Sequence, residues 1–120
     1  MKAPTVAALA VIERDGLILG VSRRDDHNDF GLPGGKVEEG ETAEQGMRRE
    51  LKEETDLDVL SAVELTFRFP GRYANVTAFK VEVKGTFGAS EEGIVKWCTR
   101  DELRAGTFGE YNRALFDFLG

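Results

Sequence analysis

Short apolar runs with the alternation typical of β-strands account for most of the hydrophobic pattern of the chain. Asp15-Gly16 follows the first run and is a strong hairpin-turn signal, so the second run is expected to return as a strand. Pro70-Gly71 separates a later pair of runs in the same manner. The predicted strands span residues 5–12, 17–21, 57–69, 73–83 and 94–98.

One stretch has the apolar spacing of an amphipathic helix instead. Ala43, Met47 and Leu51 recur at i, i+4 and i+8, which makes a stripe that can pack against a sheet. Thr42, with Gln45 three residues later, has the spacing of a capping box that begins such a helix. The predicted helices span residues 42–55, 100–104 and 110–119.

This order of elements predicts an α/β fold of the α+β kind. We expect a mixed central sheet flanked by helices, in one domain over residues 1–120. Gly31, Pro33, Gly34 and Gly35 form a cluster that is expected to be an irregular loop ahead of the first helix.

Composition narrows the class of protein further. With 41% hydrophobic and 32% charged residues, the chain resembles ordinary globular proteins, and it has no apolar run of the roughly 18 residues needed for a membrane span. Cys98 is the single cysteine, which excludes an internal disulfide framework and favours a reducing, cytoplasmic location. The net charge of −6 argues against a nucleic-acid polymer or an anionic membrane as partner. Monomer and homodimer both remain open.

Negative charge is concentrated in residues 38–54, which carry −4 of the net −6. Such a run is either a solvated helix face or a site for a divalent cation, because hard cations take carboxylate oxygens. Glu50, Glu53 and Glu54 stand at i, i+3 and i+4 and therefore share one face of the predicted helix. A bound Mg²⁺ or Mn²⁺ would neutralise these like charges. Gly46, one turn earlier, leaves space either for a ligand or for packing.

The spacing of these acids and of the glycine ahead of them resembles the Nudix box. That pattern is Gly-x₅-Glu-x₇-Arg-Glu-U-x-Glu-Glu-x-Gly-U, where U is a bulky aliphatic residue, and eight of its nine defined positions match. Asp56 replaces the glycine expected just past the helix in the left-handed conformation, which aspartate tolerates at a cost of about 1 kcal/mol. The matching residues are Gly35, Glu41, Arg49, Glu50, Leu51, Glu53, Glu54 and Leu57.

The resemblance implies a Mg²⁺- or Mn²⁺-dependent hydrolase of nucleoside diphosphate-type bonds. In Nudix hydrolases the glutamates matching Glu50, Glu53 and Glu54 bind the metal, and one of them, often that matching Glu50, acts as base toward the attacking water. The carbonyl of the glycine matching Gly34 is a further ligand. Arg49 is implied in catalysis beside Glu50 and Glu53, and its ion pair with Glu41 is implied to hold loop and helix together.

Weaker similarities outside the box resemble the MutT-like members of the family, which act on 8-oxo-dGTP. Arg23 matches a nucleotide contact at the end of the second strand, although a solvated strand-end charge is an equal interpretation. Phe69 and Arg72 match residues that help enclose the base. Asn112 lies at the spacing of an asparagine that reads guanine, or else it begins or caps the last helix.

One more metal ligand follows from the same resemblance. Glu91 lies six residues before Trp97, as a metal-binding glutamate does in those members, and Glu92 is the competing candidate. The implied metal ligands are therefore Gly34, Glu50, Glu53, Glu54 and Glu91.

The expected activity is hydrolysis of a nucleoside triphosphate to a nucleoside monophosphate and pyrophosphate, with oxidised (d)GTP as a candidate substrate. An ADP-ribose or dinucleoside polyphosphate hydrolase is the rival within the family. A nucleotide-sensing domain without hydrolysis is the rival of another class, and the intact set of acids argues against it.

Overall fold

A computed structural model describes residues 5–87 and 93–120. Its strands are Ala7–Val11 (β1), Glu13–Arg14 (β2), Leu17–Ser22 (β3), Phe30–Gly31 (β4), Gly34–Lys36 (β5), Asp58–Glu64 (β6), Val76–Lys84 (β7) and Val95–Cys98 (β8). Its helices are Ala43–Thr55 (α1), Arg100–Arg104 (α2) and Gly109–Leu119 (α3), with a 3₁₀ turn at Gly71–Tyr73.

The described strands form two sheets. The first is mixed, in the order β5-β1-β7-β6, and β1 pairs in parallel with β7 but antiparallel with β5. The second is antiparallel, and in it β3 pairs with β2, β4 and β8. The expected mixed sheet flanked by helices is confirmed. The second sheet is a feature that the alternation of the runs did not separate from the first.

Alternate residues of β1 face two different hydrophobic clusters, as the two-residue period of a strand requires. Ala8 and Ala10 lie in the cluster beneath α1, which also contains the fully buried Met47 and Leu51 of the predicted stripe. Val11 lies in the other cluster, together with α3 residues. The first sheet is thus covered by α1 on one face and by α3 on the other.

The hairpin at Asp15-Gly16 is confirmed, but it belongs to the second sheet. Asp15 and Gly16 both have positive φ, 53° and 80°, as a tight two-residue turn needs. The chain leaves the first sheet at Ile12 and forms β2 in the second sheet. The returning strand β3 therefore pairs with β2 and not with β1. The strand predicted over residues 5–12 is observed as Ala7–Val11 and is therefore shorter than predicted at both ends.

Both strands flanking Pro70-Gly71 are shorter than predicted. β6 ends at Glu64 and β7 begins at Val76. Between them, Phe67 packs edge-on against Tyr111 with ring centroids 5.4 Å apart. Burial of aromatic rings against α3 replaces strand pairing there, which alternation alone does not reveal.

The capping box at the start of α1 is confirmed. The Thr42 hydroxyl accepts a hydrogen bond from the Gln45 amide, and the Gln45 side chain accepts one from the Thr42 amide. At the other end Asp56 adopts the left-handed conformation, with φ 63° and ψ 11°, and its amide donates to the carbonyl of Lys52. The helix ends as the sequence predicts, with an aspartate in the place of a glycine.

Among the described residues, no helix combines the length and the apolar character that crossing a membrane requires.

Candidate active site

The acidic face of α1 lies against the glycine pair of β5. The amide of Gly34 donates to a carboxylate oxygen of Glu54 at 2.8 Å. A Cβ atom on Gly35 would stand 2.8 Å from the carboxyl carbon of Glu50. Two of the three predicted acids therefore contact the backbone of one short strand.

The glycine cluster ahead of α1 is not the irregular loop that we expected. Gly31 belongs to β4, and Gly34 and Gly35 belong to β5. Gly34 has φ 137°, and a Cβ there would stand 2.2 Å from the carbonyl oxygen of Ala8. Glycine here allows close approach of β1 on one side and of the acids on the other, which is why a strand replaces the loop.

Arg49 contacts three of the glutamates on and beside this face. It makes two hydrogen bonds to Glu41, at 2.8 and 3.0 Å, and one to Glu50 at 2.8 Å. It also donates to the Lys36 carbonyl at 3.0 Å and stands 3.5 Å from Glu53. These hydrogen bonds, those to Glu41 foremost, raise the pKa of the guanidinium. Reciprocally, the bonds from Arg49 lower the pKa of Glu41.

Gly46 serves packing in this arrangement. A Cβ at this position would stand 3.2 Å from a methyl carbon of Val37 and 3.4 Å from a carboxylate oxygen of Glu41. The glycine thus lets α1 approach the loop that precedes it. Of the two interpretations of Gly46, the contacts favour packing over space for a ligand.

The oxygen donors on this face suit a hard divalent cation. Glu50, Glu53, Glu54 and the carbonyl of Gly34 supply the carboxylate and carbonyl oxygens that Mg²⁺ and Mn²⁺ prefer. As placed, Glu50 and Glu53 face Arg49, and within residues 5–87 and 93–120 no three acidic, histidine or cysteine side chains are grouped closely enough to hold an ion. A cation bound on this face would therefore compete with the guanidinium for Glu50 and Glu53.

A small cavity of about 240 Å³ has both acidic and basic side chains in its wall. Glu54 and Gly34 line it together with Arg23 and Arg24. Arg23 bonds to Asp25 at 3.1 Å, and its side chain is 43% exposed. The arrangement brings the predicted nucleotide contact Arg23 to the same cavity as the predicted metal ligand Glu54.

A larger apolar cleft of about 450 Å³ continues from the same glycine pair. Asn112 lines it and is 1% exposed, and its side-chain nitrogen donates to the Leu103 carbonyl at 3.1 Å. The N-cap of α3 is Phe108, so the interpretation of Asn112 as a helix start or cap is wrong. The lining residues are Val6, Ala7, Leu9, Leu32, Gly34, Gly35, Lys36, Tyr73, Val76, Phe108, Tyr111 and Asn112.

Phe69 lies behind the cleft wall. Its ring packs against Tyr73 and Tyr111, with centroids 5.7 and 6.3 Å away, and those two tyrosines line the cleft. The hydroxyl of Tyr111 is buried and has no hydrogen-bond partner among the described residues, and burial raises its pKa to about 12. Sequence reasoning missed Tyr73, Tyr111 and Phe108, since aromatic residues beside helical apolar spacing indicate core.

Two predicted residues fall outside what the structure describes. Glu91 lies outside the described ranges, as does its competitor Glu92. Arg72 belongs to the 3₁₀ turn by its backbone, and its side chain is likewise outside the described part. Their assigned roles stay predictions.

Most of the residues that match the Nudix pattern lie on α1 and on the glycine strand β5 beneath it. The sequence model of the NUDIX domain matches residues 1–118, and the chain belongs to the Nudix family of pyrophosphohydrolases. Nudix hydrolases generally use divalent metal ions.

Curated relatives are identical to the chain at about a third of the aligned positions. A MutT-like protein of Streptomyces ambofaciens is 34% identical, over 91% of this chain and 72% of the relative. A CTP pyrophosphohydrolase of Escherichia coli is 35% identical, over 78% and 74%. An 8-oxo-dGTP diphosphatase of Haemophilus influenzae is 32% identical, over 82% and 79%.

A solved structure from an analysis of MutT from Aliivibrio salmonicida and Vibrio cholerae has the same fold. It superposes with a TM-score of 0.76 at 24% identity, over 98% of this chain and 97% of that one. An ADP-ribose pyrophosphatase of Methanocaldococcus jannaschii is 48% identical, but over only 45% of this chain and 33% of the relative. Family and fold are thus shared among proteins that act on different nucleotides.

Proposed function

We propose that the chain hydrolyses a nucleoside triphosphate to a nucleoside monophosphate and pyrophosphate, with Mg²⁺ as its preferred ion. The single observation that carries this proposal is the junction at Gly34. This residue lines both the apolar cleft and the cavity that holds Glu54 and Arg23. A nucleoside in the cleft would therefore have its phosphates directed toward the acids and the arginines.

Each side of the junction suits one part of such a substrate. The cleft is walled by aliphatic and aromatic side chains, which favour a flat apolar ring over a charged group. Arg23 and Arg24 bring positive charge to the smaller cavity, as phosphate oxygens require. The phosphoanhydride bonds lie at the charged end of the substrate. With the phosphates in the smaller cavity, these bonds would lie next to α1, where they would be hydrolysed.

We assign the residue roles accordingly. Glu50, Glu53, Glu54 and the Gly34 carbonyl would hold the cation, and Glu50 would accept the proton of the attacking water. The cation, when bound, neutralises phosphate charge and acidifies that water. Arg49 fixes Glu50 through their 2.8 Å hydrogen bond and ties α1 to the preceding loop through Glu41.

The position of Asn112 is compatible with recognition of a purine base but does not specify which purine. Its side-chain nitrogen is engaged by Leu103, so the amide oxygen is the group left to accept a hydrogen bond from a base. An oxidised guanine presents one additional N–H donor, at N7, and is one suitable occupant. The relatives that act on CTP and on 8-oxo-dGTP make the choice of base a question for experiment.

A substrate panel in Mg²⁺ tests the proposal. It should contain 8-oxo-dGTP, the normal nucleoside triphosphates, ADP-ribose and diadenosine polyphosphates, with pyrophosphate and monophosphate measured as products. We expect a triphosphate to have the highest kcat/KM. Preference for ADP-ribose would overturn the substrate class, and nucleotide binding without phosphate release would indicate a sensing domain instead.

We further propose that the chain works in the cytoplasm on free nucleotides. Its single cysteine, Cys98, is buried, and burial raises the pKa of the thiol to about 11. Such a thiol is a packing group rather than a nucleophile, which agrees with a reducing compartment.

A further inference from the structure

We infer that Phe108 is the stacking surface for the substrate base, held in place by a hydrogen-bonded clamp between Asp29 and Thr107. This inference rests on the proposed function, because it assumes that a nucleotide occupies the apolar cleft. It adds a base-binding residue and two positioning residues that no sequence motif indicated.

Phe108 has an unusual position for a large apolar side chain. It is 46% exposed, yet it lines both the apolar cleft and the cavity that contains Glu54. Its ring therefore stands where the nucleoside and the phosphates of a bound nucleotide would meet. An exposed aromatic face at the wall of a binding cleft is a surface on which any nucleobase can stack.

The backbone around Phe108 is fixed by contacts from another part of the chain. The Thr107 amide donates to one carboxylate oxygen of Asp29 at 2.8 Å, and the Thr107 hydroxyl donates to the other. Arg23 also donates to the Thr107 hydroxyl, at 3.1 Å. Three residues from two distant loops thus converge immediately before Phe108.

The carboxylate of Asp29 is the charged group of the clamp, and its ionised form is the one that accepts both hydrogen bonds from Thr107. Burial opposes ionisation of Asp29, but the two hydrogen bonds from Thr107 and the charge of Arg23 outweigh it and lower the pKa of the carboxyl. Asp29 is therefore an acceptor for both Thr107 donors at neutral pH. An ionised acceptor makes these hydrogen bonds stronger than neutral ones.

Two glycines leave the space that the clamp and the ring need. A Cβ on Gly106 would stand 2.6 Å from a carboxylate oxygen of Asp29 and 2.7 Å from the Phe30 carbonyl oxygen. A Cβ on Gly31 would stand 3.3 Å from the ring of Phe108. The connection between α2 and α3 therefore lies close against β4, and the ring of Phe108 lies over a residue without a side chain.

The clamp has a consequence for binding. A loop aromatic that is free to move must be ordered when a base stacks on it, and that ordering weakens binding. The Asp29–Thr107 clamp orders the loop before the substrate arrives. Asp29 and Thr107 act through Phe108 and are positioning residues.

Phe108→Ala is the direct test, with Phe108→Trp as the conservative partner. For the best triphosphate of the panel, we expect Phe108→Ala to raise KM about tenfold with little change in kcat, since loss of one stacking contact weakens binding by this order. Phe108→Trp should restore KM. Phe118→Ala is the matched control, because Phe118 lies on the same helix, is 49% exposed and does not line either cavity.

Thr107→Val and Thr107→Ser test the clamp. Valine keeps the shape and removes the hydroxyl, so KM should rise about threefold, whereas serine keeps the hydroxyl and should have the KM of the unaltered protein. A purely structural role would lower the unfolding temperature and kcat of the valine variant without raising its KM, and would leave the serine variant unaltered in all three. Equal KM for the valine and serine variants would overturn the role of the clamp.

A base-free probe separates this inference from the proposed function. Binding of a nucleoside monophosphate and of tripolyphosphate is measured by calorimetry with the unaltered protein and with Phe108→Ala. Stacking predicts that only the monophosphate loses affinity. If the unaltered protein hydrolyses no triphosphate, the proposed function fails, whereas unchanged monophosphate affinity in Phe108→Ala overturns the inference alone.

Discussion

At Gly35, the absence of a side chain lets the carboxylate of Glu50 reach β5. A methyl group at this position would stand 2.8 to 2.9 Å from the carboxyl atoms of Glu50, closer than van der Waals contact permits. The carboxylate is the far end of a flexible side chain, so it can move away while the backbone stays in place. The glycine therefore matters for the position of Glu50 more than for the fold.

Gly35→Ala should lower kcat at least tenfold while changing the unfolding free energy by less than about 1 kcal/mol. Steady-state kinetics and denaturant unfolding provide the two measurements. Gly46→Ala is the control, since its added methyl meets Val37 and Glu41 rather than Glu50. Full activity in Gly35→Ala would show that the observed position of Glu50 is not needed for catalysis.

Glu53 and Glu54 differ in their surroundings but have the same proposed role as metal ligands. Glu54 accepts the Gly34 amide at 2.8 Å, and Glu53 is 55% exposed near Arg49. Replacing either by glutamine keeps the size and removes the charge, so we expect kcat to fall a hundredfold or more, roughly the scale of a lost catalytic group. Saturation with Mg²⁺ should require a higher concentration of the ion.

Glu44→Gln is the matched control for these two variants, because Glu44 lies on α1 and pairs with Arg48 at 3.0 Å. Its rate should equal that of the unaltered protein. An undiminished rate in either Glu53→Gln or Glu54→Gln would refute the metal assignment.

At the level of elements, α1 could be predicted almost completely from the sequence. Its start depends on Thr42 and Gln45, its end on Asp56, and its buried face on Met47 and Leu51, and each of these signals is local. The next two strands, β6 and β7, could be predicted to exist, but the limits at which they face each other could not. Their limits depend on rings such as Phe67 that pack on α3, a contact between segments far apart in the chain.

Asp56 is the position at which α1 departs from the family pattern, and it has a testable cost. Because a residue with a Cβ is strained at φ 63°, Asp56→Gly should raise the unfolding free energy by up to about 1 kcal/mol. Thermal and urea unfolding measure the change. Asn tolerates the same conformation, so Asp56→Asn should be close to neutral, and destabilisation by Gly would contradict the assigned strain.

At the level of the whole molecule, the cleft and the clamp could not be predicted. The charge run and the acid spacing identify α1, but the cleft arises where β1, β7 and α3 meet, and no periodicity within one segment describes such a meeting. Asp29 and Thr107 illustrate the same limit, since they are separated along most of the chain and neither belongs to a motif.

Three carboxylates, those of Asp29, Glu41 and Glu102, have a lowered pKa and bond to residues elsewhere in the chain. Hydrogen bonds from Arg49 and Lys96 lower the pKa of Glu41 and Glu102, and those from Thr107 lower that of Asp29 against the effect of burial. A lowered folded-state pKa stabilises the fold fully above the ordinary value and less as the pH falls through the folded-state value. The unfolding free energy should therefore decline below the ordinary values of 4.5 for Glu and 3.8 for Asp.

Denaturant unfolding between pH 2 and pH 7 measures this decline. Glu41→Gln and Glu102→Gln should each be less stable than the unaltered protein at neutral pH and should lose less stability on acidification. Parallel curves for all three proteins would show that these carboxylates do not couple protonation to folding.

The parallel pairing of β1 with β7 also determines the order in which the molecule can assemble during synthesis. β1 is synthesised before β7, so Ala7 has no strand neighbour on that side until Val76 has been made. A 13-residue helix such as α1 is only marginally stable alone, so α1 depends on the sheet that it covers. A nascent chain that ends before Lys84 therefore presents the apolar faces of both elements to chaperones.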